Sequence, residues 1–218
     1  METINYQKEL EKIISSISNS SPQIKPSLLL HACCGPCSSY VLEYLSKIFN
    51  ITIYYYNPNI HPQEEYFRRL NELKKFLTVF PDALENKVNL IEDDYNPEDY
   101  FIATNVRNEQ QLQSEPEKGE RCFRCYKFRM ERAWDFACKN NYDFFTTTLS
   151  ISPHKDSQKI NLIGKNLELQ KNKNINTKYL FSDFKKKGGF LRSTQLSQEY
   201  GLWRQDYCGC VYSKNSTY

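Results

Sequence analysis

The chain has 218 residues, a formal net charge of +3 and eight cysteines. That length suits one domain, or one domain with a small appendage, and the weak positive balance permits a polyanionic partner without demanding one. Residues 1–24 scatter Glu2, Lys8, Glu9, Glu11 and Lys12 among their apolar positions, so neither a signal peptide nor, anywhere in the chain, a membrane span is expected.

The first predicted element is a short buried strand, Ser27-Leu28-Leu29-Leu30-His31, followed by the turn Cys33 to Ser38 and a helix whose apolar positions are Tyr40, Val41, Tyr44, Leu45 and Ile48. A second strand, Ile51 to Tyr56, ends at Asn57-Pro58-Asn59. Pro62 then opens a long amphipathic helix from Gln63 to Val79, with Tyr66, Phe67, Leu70, Leu73 and Leu77 on related faces. Val88 to Ile91 reads as a third strand, closed by Glu92-Asp93-Asp94, and Pro97 to Ile102 as a short helix. The polar run Asn105 to Gly119 reads as loop. Cys122-x-x-Cys125 leads into a helix from Tyr126 to Cys138, and the β-branched and aromatic run Tyr142 to Leu149 fits a fourth strand.

Strands alternating with helices predict an α/β fold: a mostly parallel, doubly wound sheet covered on both faces. Ligands of such sheets sit beyond the carboxyl ends of the strands, where the Cys33 turn and the Ser150 to Asp156 turn both fall. From Asn161 onward the rhythm changes. The Asn- and Lys-rich segment to Lys178 and the aromatic, basic and glycine-bearing segment Phe181 to Cys210 read as a C-terminal cap or lid.

Seven cysteines sit in three clusters: Cys33-Cys34-Gly35-Pro36-Cys37, Cys122-Phe123-Arg124-Cys125 and Cys208-Gly209-Cys210. In the expected cytoplasmic setting such a chain is more often a metal or redox protein than a disulfide scaffold. Cys33, Cys34, Cys122 and Cys125 offer four soft ligands, suitable for a [4Fe-4S] cluster or for zinc. The cramped C-C pair favours iron–sulfur over a zinc knuckle, with metal-free thiols as a third reading. A Cys208–Cys210 disulfide would close a very small ring, which suits a transient redox couple better than a structural bridge, while two ligands or two idle thiols remain the plainer reading. Gly209 eases the bend. Cys37 is either a further ligand or a small buried residue, and Cys138 is core.

Arg121, Arg124, Lys127, Arg129 and Arg132 crowd the second cluster, and phosphate contact is expected of them. The run Lys185-Lys186-Lys187 is as readily a solvated face. His31 reads as a satisfied structural histidine and His61 as part of a helix start. His154, Lys155 and Asp156, after the fourth strand, are candidates to supply an acid.

Taken together, Leu28 to Ser38, Tyr54 to Ile60, Cys122-Phe123-Arg124-Cys125-Tyr126, Thr146 to Pro153 and Tyr207-Cys208-Gly209-Cys210 resemble the QueH type of epoxyqueuosine reductase, from about residue 27 to 213. The resemblance implies reduction of the epoxide of epoxyqueuosine, at the wobble position of tRNA, to the alkene of queuosine. It implies that Cys33, Cys34, Cys122 and Cys125 hold a [4Fe-4S] cluster, that Cys208 and Cys210 are a redox-active pair, and that no cobalamin is used. A second iron held by Cys37 and a carboxylate such as Asp156 is a further expectation, as is an electron donor that the residues do not identify. On this reading residues 1–26 are an N-terminal helical extension, 27–213 a single α/β metalloenzyme domain with its cap from about 157, and 214–218 a tail. The alternative is a zinc-stabilised RNA-binding module without catalysis. The sheet is also Rossmann-like, close to that of nucleotide alpha hydrolases and ATP-dependent tRNA thiolation enzymes, but the Cys33 turn lacks their glycine-rich pyrophosphate loop.

Overall fold

The computed structural model describes residues 4–20, 24–172 and 174–214. A helix α1 (Tyr6–Ser20) precedes β1 (Ser27–His31), α2 (Gly35–Leu45), β2 (Asn50–Tyr55), α3 (Gln63–Leu77), the single turn α4 (Pro81–Glu85), β3 (Asn89–Glu92) and α5 (Pro97–Thr104). Then come α6 (Glu120–Lys139), β4 (Phe144–Thr147), α7 (Ser157–Gln170), β5 (Lys178–Tyr179) and α8 (Gly189–Glu199). The five strands form one sheet in the order β3-β2-β1-β4-β5, and every pairing is parallel.

Alternation along the central strand explains why helices cover both faces. Leu28 and Leu30 of β1 join Ile51, Ile53 and Tyr55 of β2 in a core closed by Leu42 of α2 and Leu73 of α3. Leu29 points the other way, with Tyr54, Phe145 and Tyr179, against Met130 and Trp134 of α6 and Ile160 of α7. Leu10 of α1 is completely buried in the first of these cores. Successive strands leave β1 in both directions, so the order reverses between β1 and β4. A crevice opens at the carboxyl ends of these neighbouring strands.

Two elements differ from the sequence reading. The segment read as the start of the cap contains α7 and β5, a fifth strand that extends the parallel sheet through backbone pairing of Phe144 with Lys178 and Phe145 with Tyr179. β5 is two residues long, too short to leave a period-2 signature in sequence. Helix α6 begins at Glu120, well before Tyr126, because the Glu115 carboxylate accepts from the Glu120 and Arg121 amides at 2.7 Å each and caps it. Cys122 and Cys125 therefore lie on one face of the helix itself, one turn apart. Among the described residues no helix is long and apolar enough to cross a membrane.

The packing of α7 on β5 depends on Gly164, where an added Cβ would lie 2.2 Å from the buried Tyr179 ring. Gly164→Ala should lower stability by about 1–3 kcal/mol despite the better helix propensity of alanine. A shifted urea midpoint measures it; an unchanged midpoint would mean that α7 does not pack closely on the sheet.

Candidate active site

The first cysteine turn leaves the carboxyl end of β1 and becomes the amino end of α2. Asn57 secures it by donating to the Ala32 carbonyl at 2.8 Å. Cys34 is the N-cap: its Sγ accepts from the Cys37 amide at 3.4 Å, and Pro36 fits the first helical turn. This geometry gathers the sulfurs of Cys33, Cys34 and Cys37 within 4.8 Å of one another at a helix amino terminus, where the backbone dipole favours thiolate. Gln205, from the C-terminal segment, donates to Cys34 Sγ at 3.0 Å. Hydrogen bonds from Cys34 and Cys37 hold Cys33 well below the usual thiol range, while burial pushes Cys34 up to about 12. The group thus favours one thiolate, on Cys33, supported by two thiols.

The second pair lies in the first turns of α6. Buried Arg129 donates to the Cys125 carbonyl at 3.3 Å and to Asn57 Oδ1 at 3.2 Å, which ties the α6 cysteines to the same asparagine that holds the Cys33 turn. Burial pushes the Cys125 thiol up to about 11.

The third pair is the most closely held. Gly209 adopts φ 102°, in the region that favours glycine, and a Cβ there would come within 2.9 Å of Ile60. Its carbonyl accepts from the His61 amide at 2.8 Å. Arg69, 1 % exposed, pairs with Glu65 at 2.6 Å and donates to the carbonyls of Tyr207 and Cys208, both at 3.1 Å. The Tyr207 hydroxyl in turn donates to the His61 carbonyl. The thiols are equally well placed, with Cys210 Sγ 2.9 Å from the Tyr100 hydroxyl and Cys208 Sγ 3.1 Å from Ser213 Oγ. No disulfide links any of the eight cysteines.

These turns border two voids. The wider, about 650 Å³, is lined by Cys33, Cys37, Lys155, Phe190, Tyr207 and Cys208 among others. The smaller, about 20 Å³, is lined by Cys122, Cys125, Cys208 and Cys210 with Asn59 and Lys155. Cys208 and Lys155 line both, so the three cysteine clusters meet across one thiol and one amine. The Cys210 hydrogen bond holds Cys208 well below the thiol range, and Lys155 adds to this. Burial opposes the charge on Lys155, but the sulfurs of Cys208, Cys33 and Cys37 outweigh it and its pKa is raised. An ammonium is therefore stabilised where the sulfurs gather.

Several residues take other places than the sequence suggests. Asp156 is the N-cap of α7: its Oδ1 accepts from the Gln158 and Lys159 amides at 2.9 and 3.2 Å. Cys37 joins Cys33 and Cys34, so it is no mere space-filler. The arginines near Cys122 are engaged within the fold. Arg124 pairs with Glu109 at 2.6 Å and Glu120 at 2.9 Å, Arg132 pairs with Asp93, and Arg121 donates to the Leu112 and Gln113 carbonyls. Arg124 and Arg132 thus belong to ion pairs, while Arg121 and Arg129 are buried and brace the backbone. Lys185 pairs with Asp183 and Lys187 with Glu11. His31 is the buried structural residue expected, bonded to Thr147 Oγ1 at 2.9 Å and the Tyr56 carbonyl at 3.1 Å. Cys138 packs half-buried against the second core. Sequence reasoning missed Arg69 and Gln205, whose partners lie far away in the chain.

The fold and site define a doubly wound α/β protein with a thiol-rich, metal-compatible centre at the carboxyl edge of its sheet. The model of the family described as Epoxyqueuosine reductase QueH matches residues 28–216. A protein of Streptococcus pyogenes serotype M1 bearing that name is 42% identical over 210 residues, covering 96% of this chain and 78% of its own. One from Staphylococcus epidermidis is 40% identical, over 96% and 84% of the two chains, and one from Thermotoga maritima 34%, over 86% and 90%. The chain belongs to the QueH family, whose named members are oxidoreductases.

Removing the Arg69 guanidinium leaves Glu65 buried without its charge partner. Arg69→Met should cost about 3–5 kcal/mol, and adding Glu65→Leu should recover much of that loss. Chemical denaturation of the single and double variants measures both; a single variant as stable as wild type would show that the clamp carries no load.

Proposed function

We propose that this chain reduces the epoxide of epoxyqueuosine in tRNA to the alkene of queuosine. The observation that carries this reading is the meeting of all three cysteine clusters at adjoining voids, in a chain of the QueH family. The reduction takes two electrons and two protons. The Cys208 and Cys210 pair holds the two electrons: both epoxide C–O bonds break, the alkene π bond forms, one S–S bond forms, and the Cys210 thiol and the Lys155 ammonium beside the Cys208 thiolate give the two protons that leave with the epoxide oxygen as water. An external reductant must then restore the dithiol.

The donor chemistry suits a soft metal group, since thiolates select iron–sulfur clusters or zinc over hard cations. A [4Fe-4S] cluster held by Cys33, Cys34, Cys122 and Cys125 would supply electrons singly, with no part for cobalamin. Cys37, with a carboxylate such as Asp156 whose Oδ1 caps α7, would be available to a second iron. The other roles belong to the protein itself. Lys155 holds positive charge beside Cys208 and Cys33, where thiolate is favoured. Arg69 and His61 keep the Cys208 turn in register with the small void. The wide void has room for a base splayed from a single-stranded loop, with Phe190 and Tyr207 on its wall as aromatic surfaces for it. A tRNA substrate sets the reaction in the cytoplasm.

Anaerobically purified protein should be brown and contain iron with acid-labile sulfide, and Cys122→Ala should lose both. Cys208→Ser and Cys210→Ser should keep the colour yet fail to convert epoxyqueuosine tRNA. Iron and sulfide analysis, with nucleoside analysis of the tRNA, checks these outcomes; a colourless zinc protein would contradict the redox reading.

A further inference from the structure

The arginines of this chain are mostly engaged inside the fold. Arg69, Arg107, Arg124, Arg132 and Arg192 each pair with a carboxylate. Arg121, through Nη1, donates to the Leu112 and Gln113 carbonyls and Arg129 to the Cys125 carbonyl and Asn57, and both are buried. Arg68 lies over the Trp203 ring, 3.5 Å from its centroid, and lines neither thiol void.

Arg204 is different. It is exposed on the wall of the wide void, its guanidinium 5.3 Å from the centroid of the Phe190 ring. Nη1 alone is bonded, to Ser197 Oγ at 3.3 Å and to the carbonyl and hydroxyl of Ser193 at 3.5 Å. Both serines are buried on α8, one helical turn apart, so the aromatic ring and the two hydroxyls orient the guanidinium from one side. Nε and Nη2 have no partner among the described residues. Those two donors form the fork that matches two oxygens of a phosphate. Lys155 and Lys214 line the same void, but the Cys33 and Cys208 thiolates face Lys155, which leaves Arg204 as the guanidinium on this wall with open donors.

We propose that Arg204 grips, through Nε and Nη2, a backbone phosphate of the RNA beside the nucleotide whose base enters the wide void. The inference rests on the tRNA reading above and assigns to it a residue outside the cysteine clusters. The Arg124 cluster, charge-paired already, contributes little to the same binding.

The test is the affinity of epoxyqueuosine-containing tRNA for wild type, Arg204→Gln, Arg204→Lys and Arg124→Gln over a series of salt concentrations. Arg204→Gln should weaken binding several-fold and reduce the slope of log affinity against log salt by about one. Arg204→Lys should keep the slope and bind more weakly than wild type, since charge is retained and the fork lost. Arg124→Gln should retain the wild-type slope. Wild-type slope and affinity in Arg204→Gln would overturn the phosphate contact and leave the reductase reading standing. A wild-type protein that binds no tRNA even at low salt would overturn both.

Discussion

The geometry of the site depends on one buried ion pair. Arg69 of α3 and Glu65, a turn before it, sit against the carbonyls of Tyr207 and Cys208, more than a hundred residues further along the chain. A guanidinium removed from water needs its charge balanced and its donors filled, and here the acid and the two carbonyls do this together. The C-terminal segment is thereby fixed over the carboxyl edge of the sheet. Without that anchor the Cys208 turn would have only the His61 amide, the Tyr207 hydroxyl and the thiol contacts to hold it beside the other clusters.

The sheet supplies the remaining constraint. Because the strand order reverses between β1 and β4, the loops that follow these strands leave on opposite courses and open a crevice between them. One loop, with the first turn of α2 that continues it, carries Cys33, Cys34 and Cys37; the other carries Lys155. Helix α6 brings Cys122 and Cys125, and Arg129 links that helix through Asn57 to the first turn. The result places two cationic groups, buried Arg129 and half-buried Lys155, where sulfurs gather, and both have raised pKa values: the sulfurs outweigh the penalty of desolvation. An environment that holds fixed positive charge near thiols lowers the cost of forming thiolates, which are the species that ligate metals and attack disulfides.

Much of this was legible from local pattern. The apolar run Leu28 to Leu30, the alternation of strands with helices and the three cysteine clusters are short-range features, and they indicate the doubly wound class and the carboxyl-edge location. What was not legible depends on tertiary partners. β5 is too short to show a period, and the capping part that Asp156 plays for α7 is hidden in sequence, where an N-cap and a catalytic carboxylate are the same residue type. Arg124 looked like a phosphate contact because its partner Glu109 lies in a polar stretch that reads as loop. Cys37 was ambiguous until the α2 amino terminus turned its sulfur toward those of Cys33 and Cys34. Arg69 carried no signal at all, since an arginine four residues after a glutamate on an amphipathic helix is ordinarily a surface pair.

The central claim is that Cys208 and Cys210 deliver the two electrons of the reduction. Its most direct test is a single turnover: fully reduced protein in excess over epoxyqueuosine tRNA, with no other reductant, followed by acid quench, differential alkylation and mass spectrometry. The account predicts one Cys208–Cys210 disulfide for each queuosine formed. Queuosine appearing while both thiols remain open to alkylation would contradict it.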